Sequence, residues 1–221
     1  MARARRLPVV AAALLLALCG GSGSASTAAA AAPRGGSTGC ARLAPPPPKR
    51  PVDLKPPRTR LNPAKRYVAT VTTNCGSFSF VLDVRHSPRT AASFAALAKS
   101  RYFDGTIFHR IVPGFVIQGG DPTQSGGGGP GYMTIDPPPA TTRYSRGVVA
   151  MAKTATDPRG AAGSQFFVVT AADAQLPPDY AVLGRITSGL KVVLKIGRLG
   201  DPATEKPTQP VVIRKLRVAV S

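Results

Sequence analysis

The chain has few of the residues that enzymes use to hold metals or to form covalent intermediates. His86 and His109 are its only histidines in 221 residues, and no Cys/His/acidic cluster has ligand spacing. Metal chemistry therefore has no support in the sequence. Ser164 follows Gly163, but Ala162-Gly163-Ser164-Gln165-Phe166 lacks the Gly-x-Ser-x-Gly elbow of a serine hydrolase. Cys75 lies in a turn with no basic neighbour in sequence to activate a thiol. There is no dinucleotide fingerprint. The glycine run 126–129 is not followed by Gly-Lys-Ser/Thr, so it reads as a loop and not as a phosphate cradle.

Acidic residues are scarce as well, 10 against 29 Lys and Arg, for a formal net charge of +19. Close to half of that charge falls in the first 64 residues, so basicity is spread along the chain. One reading is attraction to nucleic acid, anionic lipid or an acidic polymer. The other is a generally basic, soluble surface. With no run of five Lys/Arg and no basic helix stripe, no specific nucleic-acid partner is expected.

Long hydrophobic runs are missing too. The apolar stretch 7–18 has about 12 residues, short of the roughly 20 needed to span a bilayer. Arg3, Arg5 and Arg6 precede it, so residues 1–25 read as an export signal. Two cleavage readings stand. Leu16-Ala17-Leu18-Cys19-Gly20 resembles a bacterial lipobox, which would lipidate Cys19 and tether the protein to the outer side of the cytoplasmic membrane. Leu18 departs from the small residue preferred at its position. Ordinary signal-peptidase cleavage after Ala25 would instead release a secreted protein. The flexible Gly/Ser stretch 20–24 suits a tethered protein and favours the first reading. With Cys19 lipidated, Cys40 and Cys75 remain as an even pair, either a disulfide or two free thiols.

Residues 26–64 read as a disordered Pro/Ala-rich linker. They hold an alanine run at 28–32 and a tetraproline at 45–48. Too little apolar variety is present for a core, so an extended spacer is expected. The folded domain is expected over 65–221. Residues 67–73 and 77–84 flank Asn74-Cys75-Gly76 and predict a hairpin. Ser87 and Pro88 open a helix with Ala91, Phe94, Ala95, Leu97 and Ala98 on one face. Strands are predicted over 107–112, 115–118, 148–152, 165–169, 181–186 and 211–220, with a second helix over 190–196. Many short strands and two helices point to a mainly β fold, a closed barrel.

What the elimination leaves is an apolar surface bearing a few fixed polar groups. Strand alternation places Arg110 with Phe108 on one face and His109 on the other. It also places Gln165 with Phe167, opposite Phe166, which reads as plain core. An Arg and a Gln beside apolar residues suit a neutral peptide ligand better than a covalent reaction.

Residues 103–122 run Phe-Asp-Gly-Thr-Ile-Phe-His-Arg-Ile-Val-Pro-Gly-Phe-Val-Ile-Gln-Gly-Gly-Asp-Pro, which resembles the cyclophilin signature. Val149-Ala150-Met151-Ala152 and Gly163-Ser164-Gln165-Phe166-Phe167 are similar to the family's second and third blocks, in the family order. The resemblance covers about residues 65–220. It implies a closed eight-stranded antiparallel β-barrel capped by two α-helices, with a substrate groove on the barrel surface. It implies peptidyl-prolyl cis/trans isomerisation of proline-containing polypeptides by a monomer, without metal or cofactor. By motif, Arg110 matches the catalytic arginine. Phe115, Phe167 and Leu176 match the proline-pocket walls, with Val116 at the usual Met position. Gln118, Gln165 and Ala152 match groups that hold the peptide. Lys153, Gln175 and Tyr180 stand where many members carry Asn, Trp and His. These departures bear on substrate preference and on cyclosporin binding, which is tight in members with the Trp. The alternative activity is a proline-peptide-binding or chaperone module that keeps the groove but turns over little.

Overall fold

A computed structural model describes residues 39–221. The export signal, both cleavage readings and Cys19 lie outside the described residues. The hairpin forms as predicted: β1 (Tyr67–Thr73) and β2 (Gly76–Leu82) pair antiparallel, Val71 opposite Phe78. Every second residue of β1 from Ala69 is buried, the signature of a sheet with one face on a core. The helix α1 (Pro88–Lys99) follows. Ser87 occupies the N-cap without a side-chain cap bond. The orphan amide of Thr90 instead donates to Asp136 Oδ2 at 2.7 Å.

The remaining elements are β3 (Thr106–Ile107), β4 (Arg110–Val112), β5 (Val116–Gly119), β6 (Thr134–Ile135), β7 (Val148–Met151), β8 (Ala161–Ala162), β9 (Phe166–Val169), β10 (Val182–Ser188), α2 (Leu190–Gly197) and β11 (Val212–Val220). Nine strands form one antiparallel sheet in the order β3-β11-β1-β2-β10-β7-β9-β5-β4, and β6 pairs with β8 apart from it. The expected closed eight-stranded barrel is thus a nine-stranded curled sheet. Its edge strands β3 and β4 are successive in the chain, joined by Phe108 and His109, with no backbone ladder between them. The single strand expected over 107–112 breaks because its first half pairs with β11 and its second with β5.

The concave side of the sheet is filled by an aromatic cluster. Phe94 of α1 lies 5.8 Å from Phe80, 4.8 Å from Phe103 and 5.6 Å from Phe166 between ring centroids. Phe108 joins this interior at 6.0 Å from Phe166. Burying each such ring contributes about 1.5–3 kcal/mol. The break at Phe108–His109 corrects the alternation read from sequence. Phe108 turns into the core, whereas Arg110 lies in register with Gln118 on the other side.

Residues 41–64 form no helix or strand. Residues 26–38 of the expected linker lie outside the described residues, whereas 41–64 lie along the domain surface. Cys40 and Cys75 form a disulfide, which decides between the two cysteine readings. The amide of Ala41 donates to Asn74 O at 2.9 Å, that of Lys49 to Pro122 O at 2.8 Å and that of Leu54 to Pro130 O at 2.7 Å. Proline already restricts the backbone of the unfolded chain, so laying this segment on the domain costs little further entropy.

Candidate functional site

Strands β4, β5, β9 and β7 lie side by side. Arg110 is opposite Gln118, Gln118 opposite Phe167, and Phe167 opposite Ala150. Residues in register point to the same side of a sheet, so Arg110, Gln118 and Phe167 form one row across three strands. This is the outer face. It carries a second apolar cluster of Val116, Tyr144, Val148, Ala150, Phe167 and Val169, against which Phe115, Ala152, Leu176 and Tyr180 pack partly buried.

The loop after β9 supplies the outer wall. Tyr144 fastens it: its hydroxyl donates to Tyr180 O at 2.6 Å and accepts from Tyr180 N at 3.0 Å. Burial pushes the Tyr144 phenol up to about 12, so it stays protonated and able to donate. Tyr180 meets Phe167 edge-on, with ring centroids 5.5 Å apart. The result is an apolar recess beside the polar row.

The polar side is a relay of hydrogen bonds. Arg110 Nη1 donates to Gln118 Oε1 at 3.3 Å, and Gln118 Nε2 donates to Gln165 Oε1 at 3.0 Å. Gln165 Nε2 donates to Gly126 O at 2.8 Å and Gly128 O at 3.0 Å. The glycine loop presents carbonyls because its amides are used elsewhere. Those of Gly126 and Gly128 donate to Asp121 Oδ2 at 2.6 and 3.1 Å. An anion cradle would need those same amides. Burial alone would raise the Asp121 carboxyl, but these bonds and those from Thr123 outweigh it and hold the pKa below the usual range.

Arg110 has a second tether. Its Nε donates to Glu205 Oε2 at 2.6 Å. Glu205 is held in turn: its amide donates to Asp201 O and its carbonyl accepts from Ile111 N, both at 2.8 Å. Its φ of 56° is the left-handed conformation that a residue with a side chain seldom adopts. With Nε and Nη1 engaged, Nη2 has no partner among the described residues. The guanidinium is thus oriented at two points with a donor to spare next to the apolar recess.

A family model, cyclophilin type peptidyl-prolyl cis-trans isomerase/CLD, matches residues 68–218. The peptidyl-prolyl cis-trans isomerase-like 1 of Neurospora crassa is 35% identical over 152 residues, covering 67% of this chain and 91% of the relative. The peptidyl-prolyl cis-trans isomerase A of Mycobacterium tuberculosis is 31% identical over 176 residues, covering 72% and 95%. A crystal structure of a cyclophilin type isomerase from Cryptosporidium parvum superposes with a TM-score of 0.64 at 31% identity, covering 71% of this chain and 99% of that one. The same protein, also solved in the presence of the dipeptide Ala-Pro, matches with the same TM-score at 30% identity, covering 70% and 99%.

The chain belongs to the cyclophilin family. Its reaction is peptidyl-prolyl cis/trans isomerisation, and its substrates are proline-containing chains.

Seen as a cyclophilin, the structure gathers Arg110, Phe115, Val116, Gln118, Ala152, Gln165, Phe167, Leu176 and Tyr180 on one face. Phe166, one residue from Phe167, is interior core as read from sequence. Lys153 behaves differently from a groove residue. Its side chain is only 4% exposed and its Nζ lies 2.6 Å from Asp179 Oδ2, so its charge is paired and shielded from solvent. Gln175 is exposed at the rim with φ 51°, its amide bonded to Asp173 Oδ1. Two contributors were not visible in the sequence. Glu205 is 95 residues from Arg110 in a turn-rich stretch, and Tyr144 is an isolated aromatic between predicted strands. Nothing in their local patterns marks either one.

Proposed function

We propose that this cyclophilin accelerates rotation about X–Pro bonds in exported or cell-envelope proteins, assisting their folding, with Arg110, Phe115 and Gln118 at the reacting bond. Uncatalysed isomerisation takes tens to hundreds of seconds because rotation breaks amide resonance. A catalyst must bind the twisted amide better than either planar form. In the twisted state the proline nitrogen regains a lone pair, and the unpartnered N–H groups of Arg110 can donate to it. Phe115, Val116, Phe167 and Leu176 would take the proline ring and exclude water, which strengthens that donation. Gln118, Gln165 and backbone at Ala152 and Lys153 would hold the flanking peptide, while Gln175 and Tyr180 shape the rim. The observation that carries this reading is the doubly tethered guanidinium beside the apolar recess.

An extracytoplasmic site of action is supported by the arginines at 3, 5 and 6 ahead of the apolar stretch 7–18 and by the Cys40–Cys75 disulfide, a bond that persists in oxidising compartments. Lipidation at Cys19 and a monomeric state belong to the same proposal. A protease-coupled assay on a short X–Pro peptide tests the activity. Binding of that peptide without turnover would favour the chaperone-like alternative. Mass spectrometry of the mature N-terminus tests the anchor: a lipid-modified terminus at Cys19 supports it, and an unmodified terminus near Ser26 overturns it.

A further inference from the structure

A groove of about 990 Å³ continues from the polar row, away from Phe115 and Leu176. Gln118, Gln165, Ala152 and Lys153 belong to its lining, so it shares residues with the isomerase site. The Gly/Pro loop 126–131 lines it. Pro51 and Val52 of the Pro-rich segment, unexpectedly, line it as well.

We propose that this segment is a specificity element: a strap that builds one wall of a flanking subsite for a large apolar side chain of the substrate. The proposal rests on the isomerase reading of the adjoining row.

Three independent features hold the strap in place. The Cys40–Cys75 disulfide anchors its start to the β1–β2 turn. Along its length, Gln124 Nε2 donates to Pro46 O at 2.9 Å and Lys49 Nζ to Tyr102 O at 2.7 Å, beside the backbone bonds from Lys49 and Leu54. Finally, the loop is shaped to receive it. Gly131 has φ +89°, and a Cβ there would lie 2.6 Å from Asp53 Oδ1 and 2.7 Å from Asp53 Cα. Only glycine lets the two backbones approach this closely.

The chemistry of the walls selects the ligand. Val52 and Met133 line the groove and remain 39% and 54% exposed, which leaves apolar area uncovered. Tyr132, Ala152 and Ala162 add to it. The one ammonium among the lining residues, Lys153, is tied to Asp179 and is almost fully buried. A substrate side chain beside Val52 and Met133 meets carbon, and the lining's one carboxylate, Asp157, would repel a like charge, so a leucine-like group is favoured over an acid or glycine.

The test uses the full chain and peptides with a single X–Pro bond. One peptide has glycine on both flanks. The others carry one leucine at each of the three positions before X or after Pro in turn. Isomerisation is read by exchange spectroscopy. The expected result is a gain in kcat/KM of about fivefold for leucine at one flanking position, roughly 1 kcal/mol. That gain disappears in Val52→Asp and shrinks in Val52→Gly, while the all-glycine peptide turns over at the wild-type rate in both. Val52 is partly exposed, so neither substitution threatens folding, which circular dichroism checks. No flank dependence in the wild type, or a gain that survives Val52→Asp, overturns the strap's role. Absence of turnover on the all-glycine peptide would instead count against the isomerase site itself.

Discussion

Replacing Arg110 by alanine separates catalysis from folding in this protein. The side chain makes two bonds, one to Glu205 and one to Gln118. The ion pair is open to water, with side-chain exposures of 36% and 44%, and such pairs contribute about 0–1 kcal/mol to stability. The bond to Gln118 is long at 3.3 Å, and Gln118 keeps Gln165 as a partner when the arginine is gone. The expected loss of stability is therefore below about 1.5 kcal/mol. The loss of turnover is much larger. Removing one preorganised donor from a water-poor site costs about 10²–10³ in rate. Arg110→Lys restores a charge but cannot reach Glu205 and Gln118 together in the same fork, and should recover only part of the loss. Denaturant titration measures the first quantity, and the protease-coupled assay on a short X–Pro peptide measures the second. A folded Arg110→Ala protein with near-wild-type kcat/KM would refute the role given to this residue.

Glu205→Ala frees the guanidinium at Nε and should lower kcat about tenfold with little change in KM or stability. Glu205→Gln, which keeps an acceptor, should restore most of it; equal losses in both would mean that the charge and not the orientation matters. Cyclosporin should inhibit the wild type weakly, because Gln175 offers no indole. Gln175→Trp should recover inhibition by tens- to a hundredfold, about 2–3 kcal/mol, and a titration showing no recovery would turn attention to Tyr180 or Lys153. His109 gives a pH dependence of stability. Burial lowers its pKa from the usual 6.5, more than the charge of Asp121 raises it, with Arg110 lowering it further. Below about pH 6.5 the unfolded chain therefore binds a proton that the folded one resists, so stability should fall on acidification by up to about 1.4 kcal/mol per pH unit. Asp104 and Asp121, both held below 3.8, add their own loss only at lower pH. Denaturation midpoints from pH 8 to 5 should show the decline and His109→Gln should flatten it; identical profiles would remove His109 as the cause.

Much of the fold was legible in the chain because it rests on local patterns. The alternation in 67–73 and 77–82 specifies a hairpin wherever it is placed, and Ser87-Pro88 ahead of Phe94 and Leu97 specifies a helix start and a buried face. The segment 103–122, with Gln165 and Phe167, carried the groove residues in one recognisable stretch, and strand register then brought them together. The residues that sequence reasoning misplaced or missed all depend on long-range geometry. Phe108 left the face of Arg110 because the chain changes pairing partners between β3 and β4, which no local alternation records. Glu205 reaches Arg110 only because the loop after α2 returns to the edge strand, where its carbonyl takes the amide of Ile111. The Pro-rich segment has the composition of a spacer, and composition is blind to docking. Its place beside the groove was decided by the disulfide, by carbonyls of Pro122 and Pro130 facing its amides, and by a glycine at 131 that leaves room for it.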